Sequence, residues 1–307
     1  MGTDPFSATL PPLSWRERGL SPFSAGTLSS VVQGERLRAA WDGELAGLAG
    51  TFSLALVGPS GPLVSRDADA PHYAASTIKL AVLAALLRDR NAGRPEAFGP
   101  VVVHAEFAGA GGRAFTLQQS DDQDDDTWAL LGSTADLLWL AERMIVVSGN
   151  LATDLVVERL GIGSVQRFLA DAGLSGPLGF TRLIGDAAAE AAGSTNTVTA
   201  AGLASLMTGI ADHTLLGAAD SERALGFLAA QQHRRMIPAG LPESTWSASK
   251  GGWVPGVQHD VALVRPESAP PYALAVCTTS PLPEPDAERL IARLSAITWE
   301  HWIRWHG

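Results

Sequence analysis

From Thr27 to about Leu48, Val31, Val32, Leu37 and Trp41 recur at near-helical spacing and predict a helix. The period then changes. In "TFSLALVGPSGPLVSRD", Phe52, Leu54 and Leu56 alternate, a Gly-Pro-Ser-Gly turn follows, and Leu63 and Val64 lie on a second short strand, so the stretch reads as a hairpin. A helix opened by Ser76 runs to about Arg90, where "NAGRPEAFGP" breaks it. A short strand-like piece and a long loop come next, and the loop ends in Asp121, Asp122, Asp124, Asp125 and Asp126. From Ser133 to Leu160 the pattern is helical again, interrupted at "SGN", with Thr134 as a cap and Asp136 in the first turn. Residues 163–234 continue as helices, broken by the Gly- and Ala-rich "SGPLGFTRLIGDAAAEAAGSTN". "STWSASKGG", "HDVALVR" and "YALAVCTT" then alternate as antiparallel strands. A last helix after Pro285 buries Leu290, Ile291, Leu294 and Ile297, with Trp299, Trp302 and Trp305 toward its end.

The early hairpin is too small to be stable alone, so it must pair with the strands near the other end of the chain. The order therefore predicts an α/β fold of the α+β kind. An antiparallel sheet is flanked by N- and C-terminal helices and carries an inserted all-helical domain. The expected divisions are an irregular, Pro-rich arm over 1–25, a sheet domain built from 26–76 and 216–307, and the helical insertion over 77–215. A cleft is expected where the insertion meets the sheet, a usual place for a small-molecule site.

Composition narrows the partners. The 307 residues are 46% hydrophobic and 18% charged, as in a compact globule. A formal net charge of -10 repels phosphate and excludes nucleic acid or an anionic membrane surface as the expected partner. No apolar run reaches the roughly 18 residues of a membrane span. The first 30 residues hold no continuous apolar segment of the secretory kind, and a cytoplasmic protein is the plain expectation. Cys277 is the one cysteine, and "YALAVCTTS" places it on a buried strand as a structural thiol. The seven histidines form no metal-ligand spacing, and no GxGxxG follows a strand, so neither metal nor cofactor is expected. His72 reads as a packed or surface histidine. His259 and Asp260, adjacent on a strand, point to opposite faces.

Candidate chemistry begins at "AASTIKL". Ser76 and Lys79 are three apart and share one face of a helical turn. A serine hydroxyl is a weak nucleophile that needs a base within reach, and a lysine kept from water loses its proton far below its free pKa. The same spacing also fits a serine that caps the helix, followed by a solvated lysine. Two further pieces decide between these readings: Ser148-Gly149-Asn150 between apolar helices, and Lys250-Gly251-Gly252 at the end of a strand.

In order and separation, the three pieces resemble the SxxK, SDN and KTG motifs of class A β-lactamases and penicillin-binding proteins. The likeness runs from about residue 45 to 305 and includes "TADLLWLAERMIVVSGNLATDLVVERLG", "STNTVTAAGLASLM" and "HDVALV". The resemblance implies that Ser76 is the acylated nucleophile and Lys79 its base or proton shuttle. Ser148 would pass a proton to the leaving group, and Asn150 would hold the acyl-side amide of a small-molecule substrate. Lys250 would supply positive charge beside Ser148 and toward a substrate carboxylate. Gly251 and Gly252 complete the motif, and backbone N–H groups of Ser76 and Trp253 would form the oxyanion hole.

The sequence also departs from that pattern. Gly149 stands where the family usually has Asp, a mainly structural residue. Gly251 stands where a hydroxyl normally grips the β-lactam carboxylate, which argues for a less anionic substrate. Arg182 resembles the family's omega-loop arginine, but Ile184 occupies the place expected for the deacylating glutamate. Asp186 and Glu190 are the only nearby carboxylates that could substitute, and the preferred expectation is that Asp186 pairs with Arg182 to pin the loop. The expected activity is opening of an amide, lactam or ester through a Ser76 acyl-enzyme, with β-lactam hydrolysis a narrower case and deacylation slow. The alternatives are a cytoplasmic esterase, peptidase or acyltransferase, and a catalytically silent ligand-binding relative.

Overall fold

The computed structural model describes residues 25–109 and 112–307. The irregular arm predicted over 1–25 therefore lies almost wholly outside the described residues. Helix α1 covers Ala25–Leu45 and leads into strands β1 (Thr51–Gly58) and β2 (Gly61–Arg66). The central helix α2, Lys79–Asn91, is followed by α3 (Leu137–Val146), α4 (Asn150–Leu160), α5 (Ile162–Asp171), α6 (Ala200–Ala211) and α7 (Ala218–Ala229). Strands β3 (Trp246–Val254), β4 (Val257–Arg265) and β5 (Tyr272–Thr279) and helix α8 (Glu284–His306) complete the chain.

The main sheet is five-stranded and antiparallel, in the order β3-β4-β5-β1-β2. The first strand pairs with the last over its length, Thr51 opposite Thr279 and Val57 opposite Ala273. This is the closure that the early hairpin required. Alternation divides the core in two. Leu54, Leu56, Val264 and Leu274 face α1 and α8, where Trp41 and Trp302 are fully buried. Ala55, Val57, Val261 and Ala275 face α6 and the helical part. Trp41 Nε1 donates to Thr298 Oγ1 at 3.0 Å and ties the two flanking helices together.

Helix α2 is Leu- and Ala-rich and buried nearly all round, as befits the centre of a helical layer. Gly93, at φ +68, turns the chain out of it. Cys277 is buried on β5. His72 is packed, its ring between Ser53 Oγ at 2.9 Å and Thr279 Oγ1 at 2.7 Å. His259 faces Tyr73 O, while Asp260 on the other face accepts from Ile237 N. Among the described residues no helix is long and apolar enough to cross a membrane.

Candidate active site

Ser76 does not cap α2. It sits in a 3-10 turn, Ala75–Ile78, that precedes the helix, and the helix N-terminus has no side-chain cap. The turn begins at Ala75 with φ +44, left-handed backbone that costs a non-glycine residue about 1 kcal/mol or more. It presses against β3, the edge strand of the sheet. A Cβ on Gly252 would lie 2.6 Å from Ser76 N and 2.7 Å from Thr77 N, so only glycine permits this approach. An edge strand leaves alternate N–H groups without a ladder partner, and this edge lies beside a partly exposed Ser76.

Lys79 is not solvated either. It is fully buried, and Nζ donates to Ser148 O at 2.6 Å and Asn150 Oδ1 at 2.8 Å, with Ser148 Oγ at 3.4 Å. None of these bonds goes to Ser76. Burial pushes the amine down to about 8, against the pull of Asp122, Asp154 and Asp124. From β3, fully buried Lys250 places Nζ 2.9 Å from Ser148 Oγ and donates to the Gly251 carbonyl at 2.6 Å. Burial, and then the charge of Lys79, hold Lys250 well below an ordinary lysine. Ser148, with φ +63 between α3 and α4, is the residue on which both amines converge.

The aspartate run is a scaffold for this residue. Asp122 caps α4, accepting from Asn150 N at 2.7 Å and Leu151 N at 2.8 Å, and from Trp128 Nε1 at 2.9 Å. Asp124 is buried against Arg143, whose Nε is 2.9 Å away. Sequence reading missed both. The signal was there: aspartates four and six residues before a tryptophan, ahead of a helix that lacks its own cap.

Around the loop after Leu178, Arg182 pairs with Glu190 at 3.0 Å and donates to Tyr73 OH at 2.9 Å. Glu190 thus takes the pinning role expected of Asp186, which instead caps the short helix Ala187–Ala191 through Ala189 N. Ile184 N donates to Asp154 Oδ1 at 2.8 Å. Asp154, one turn along α4 from Asn150, is fully buried, and burial holds its carboxyl well above the usual range. Asn150, Ile184, Leu117 and Asp122 line a cavity of about 120 Å³.

The model of the Beta-lactamase enzyme family matches residues 45–302. The chain belongs to that family. Solved structures share the fold. PBP-A superposes with TM-score 0.73 at 21% identity, covering 88% of this chain and 96% of that one. A beta lactamase from Xanthomonas campestris pv. campestris gives 0.75 at 19%, covering 87% and 98%. An L158E mutant of PBP-A, an acyl-enzyme complex with penicillin G, gives 0.71 at 22%, covering 93% and 100%. No curated protein matches the chain. Family and fold together make it a serine hydrolase.

Within the beta-lactamase enzyme family this chain's departures have local causes. A Cβ on Gly149 would meet Asp124 Oδ2 at 2.9 Å, so the neighbouring loop already places a carboxylate beside that position. A Cβ on Gly251 would meet Met236 Cε at 2.6 Å, so the space for a hydroxyl-bearing side chain is filled by a thioether. Gly251 pairs with Asp260 across the sheet and lies on the face opposite Lys250. Trp253 leans edge-on against His233, ring centroids 4.9 Å apart.

Proposed function

We propose that the protein opens an amide, lactam or ester by attack of Ser76, forming an acyl-enzyme that water releases slowly. The observation that carries this is Ser148 held between two buried amines, Lys79 and Lys250, with a partly exposed serine on the strained turn that leads into Lys79. A ligand-binding protein has no need of lysines in water-free surroundings, where they cost free energy unless they move protons. Ser76 attacks the acyl carbon, and the oxyanion is received by N–H groups of Ser76 and the β3 edge near Trp253. Asn150 orients the acyl side, and Ser148 protonates the leaving group.

Slow release follows from Ile184. Its side chain cannot activate water, and its N–H engages a carboxyl that is buried beneath it. Glu190 is bound to Arg182, and Asp186 to a helix end. The protein and a Ser76→Ala variant, incubated with benzylpenicillin and with p-nitrophenyl acetate and followed by intact mass, test this. A lasting adduct on the parent alone is expected. Fast turnover without an adduct would refute slow release, and neither adduct nor turnover with any acyl donor would refute the acyl-enzyme.

A further inference from the structure

Each hydrogen bond made by the two amines goes to a neutral oxygen. Two ammonium ions meeting at one serine in a dry crevice would repel strongly, so at most one carries charge. The hydrogens can be counted. Lys79 has three oxygens around it, Ser148 O, Asn150 Oδ1 and Ser148 Oγ, which suits the three N–H bonds of an ammonium. Ser148 Oγ then accepts from Lys79 and has its own proton left to give. Its nearest partner is Lys250 Nζ at 2.9 Å. Lys250 gives one N–H to the Gly251 carbonyl and presents a lone pair to Ser148.

The surrounding charges agree. Asp122 and Asp124 act on Lys79. Lys250 is faced by Lys79 across Ser148 and by half-buried His233, whose ring bonds Val147 O at 3.1 Å. Its nearest carboxyl, Asp260, lies on the adjacent strand and the opposite face of the sheet.

We propose that Lys250 is the terminal proton acceptor of the cleft, acting on Ser76 through Lys79 and Ser148, and not an anchor for a substrate carboxylate. The natural acyl donor is then one that needs no carboxylate beside its leaving group: a neutral ester, amide or lactam. This rests on the acyl-enzyme reading above. As Ser76 Oγ bonds to the acyl carbon and the carbonyl π pair moves to oxygen, the serine proton passes to Lys79. In the same motion Ser148 gives its own proton to Lys250 and takes one from Lys79, which frees on Lys79 the lone pair that receives the serine proton. When the bond to the leaving group breaks, Ser148 protonates the departing nitrogen or oxygen and recovers a proton from Lys250. Lys79 is unchanged, and one proton has gone from Ser76 to the leaving group.

The test compares acylation by benzylpenicillin and by its methyl ester, by intact mass, from about pH 5 to about pH 9, in the parent and in Lys250→Met and Lys250→Arg. The parent is expected to react with the ester at least as fast as with the acid, a comparison that needs no variant to fold. Lys250→Met is expected to slow both donors by the same factor, on the order of a hundredfold, and to move the rise of the rate with pH upward, toward the titration of Lys79. Lys250→Arg is expected to behave alike, because a permanent cation cannot accept the proton. A parent that strongly prefers the acid, or a Lys250 variant that slows the acid alone through KM, overturns the proposal and leaves the acyl-enzyme standing. No adduct with either donor or with p-nitrophenyl acetate overturns both.

Discussion

Gly252 shows how a single residue can set the chemistry without taking part in it. Its missing side chain lets β3 approach the Ser76 turn until a Cβ would sit within 2.7 Å of two backbone nitrogens. In Gly252→Ala the strand or the turn must retreat, which would separate the N–H groups proposed to receive the oxyanion. Acylation of Ser76 is expected to fall at least tenfold, measured as adduct formation, with a stability loss of about 1–3 kcal/mol from overpacking. The same logic at Gly149 predicts that Gly149→Asp, which restores the commoner family residue, destabilises the protein, because its carboxylate would be forced against that of Asp124. A melting temperature at or above the parent's would contradict this. The identity of these residues was legible in the sequence through motif spacing. The reasons for them were not, because Asp124 and Met236 reach the motifs from loops distant along the chain.

At the scale of elements, the periodic segments were legible and the caps were not. The α1 pattern, the early hairpin, the three late strands and α8 all formed near their expected places, since each repeats an apolar period over several turns or residues. What sequence could not show is that Asp122 supplies the cap of α4 from 28 residues away. Asp122→Ala should cost about 0.5–2 kcal/mol in urea unfolding and should also weaken acylation, because α4 carries Asn150 against Lys79. Loss of stability with unchanged acylation would confine Asp122 to a structural part. A second element-scale effect lies behind β4. Burial raises Asp260 to about 7, although Ile237 N donates to it at 2.9 Å. Unfolded, the carboxyl ionises near its ordinary 3.8. Between those values the folded state holds a proton that the unfolded state has lost, so this group's contribution is greatest below the unfolded pKa and is lost as pH rises through about 7. Asp260→Asn keeps an acceptor for Ile237 and cannot ionise. Relative to the parent, it should gain stability on the order of 1–4 kcal/mol as pH moves from acid to about 8, and a constant difference across that range would argue against a buried neutral acid.

The whole molecule sets the terms on which a substrate arrives. The sheet closes by pairing the first strand with the last, and both cores meet along it, so the crevice between helices and sheet depends on the ends of the chain as much as on its motifs. Over that frame lies a net charge of -10, with Asp121 and Asp122 lining the cavity beside Asn150. The two lysines of the crevice offset little of this for an approaching anion, because both are fully buried and spend their hydrogens on protein oxygens. An anionic acyl donor therefore approaches against a repulsive field, which salt screens over a Debye length of about 10 Å at 0.1 M. The second-order rate of acylation by benzylpenicillin should rise roughly two- to tenfold between about 10 mM and about 500 mM salt, while that of its methyl ester stays flat. Stopped mass measurements at several ionic strengths give both slopes. A rate for the acid that falls with salt would mean attraction in place of repulsion. The charge that guides substrates would then lie in a local cationic surface strong enough to reverse the field of the whole chain.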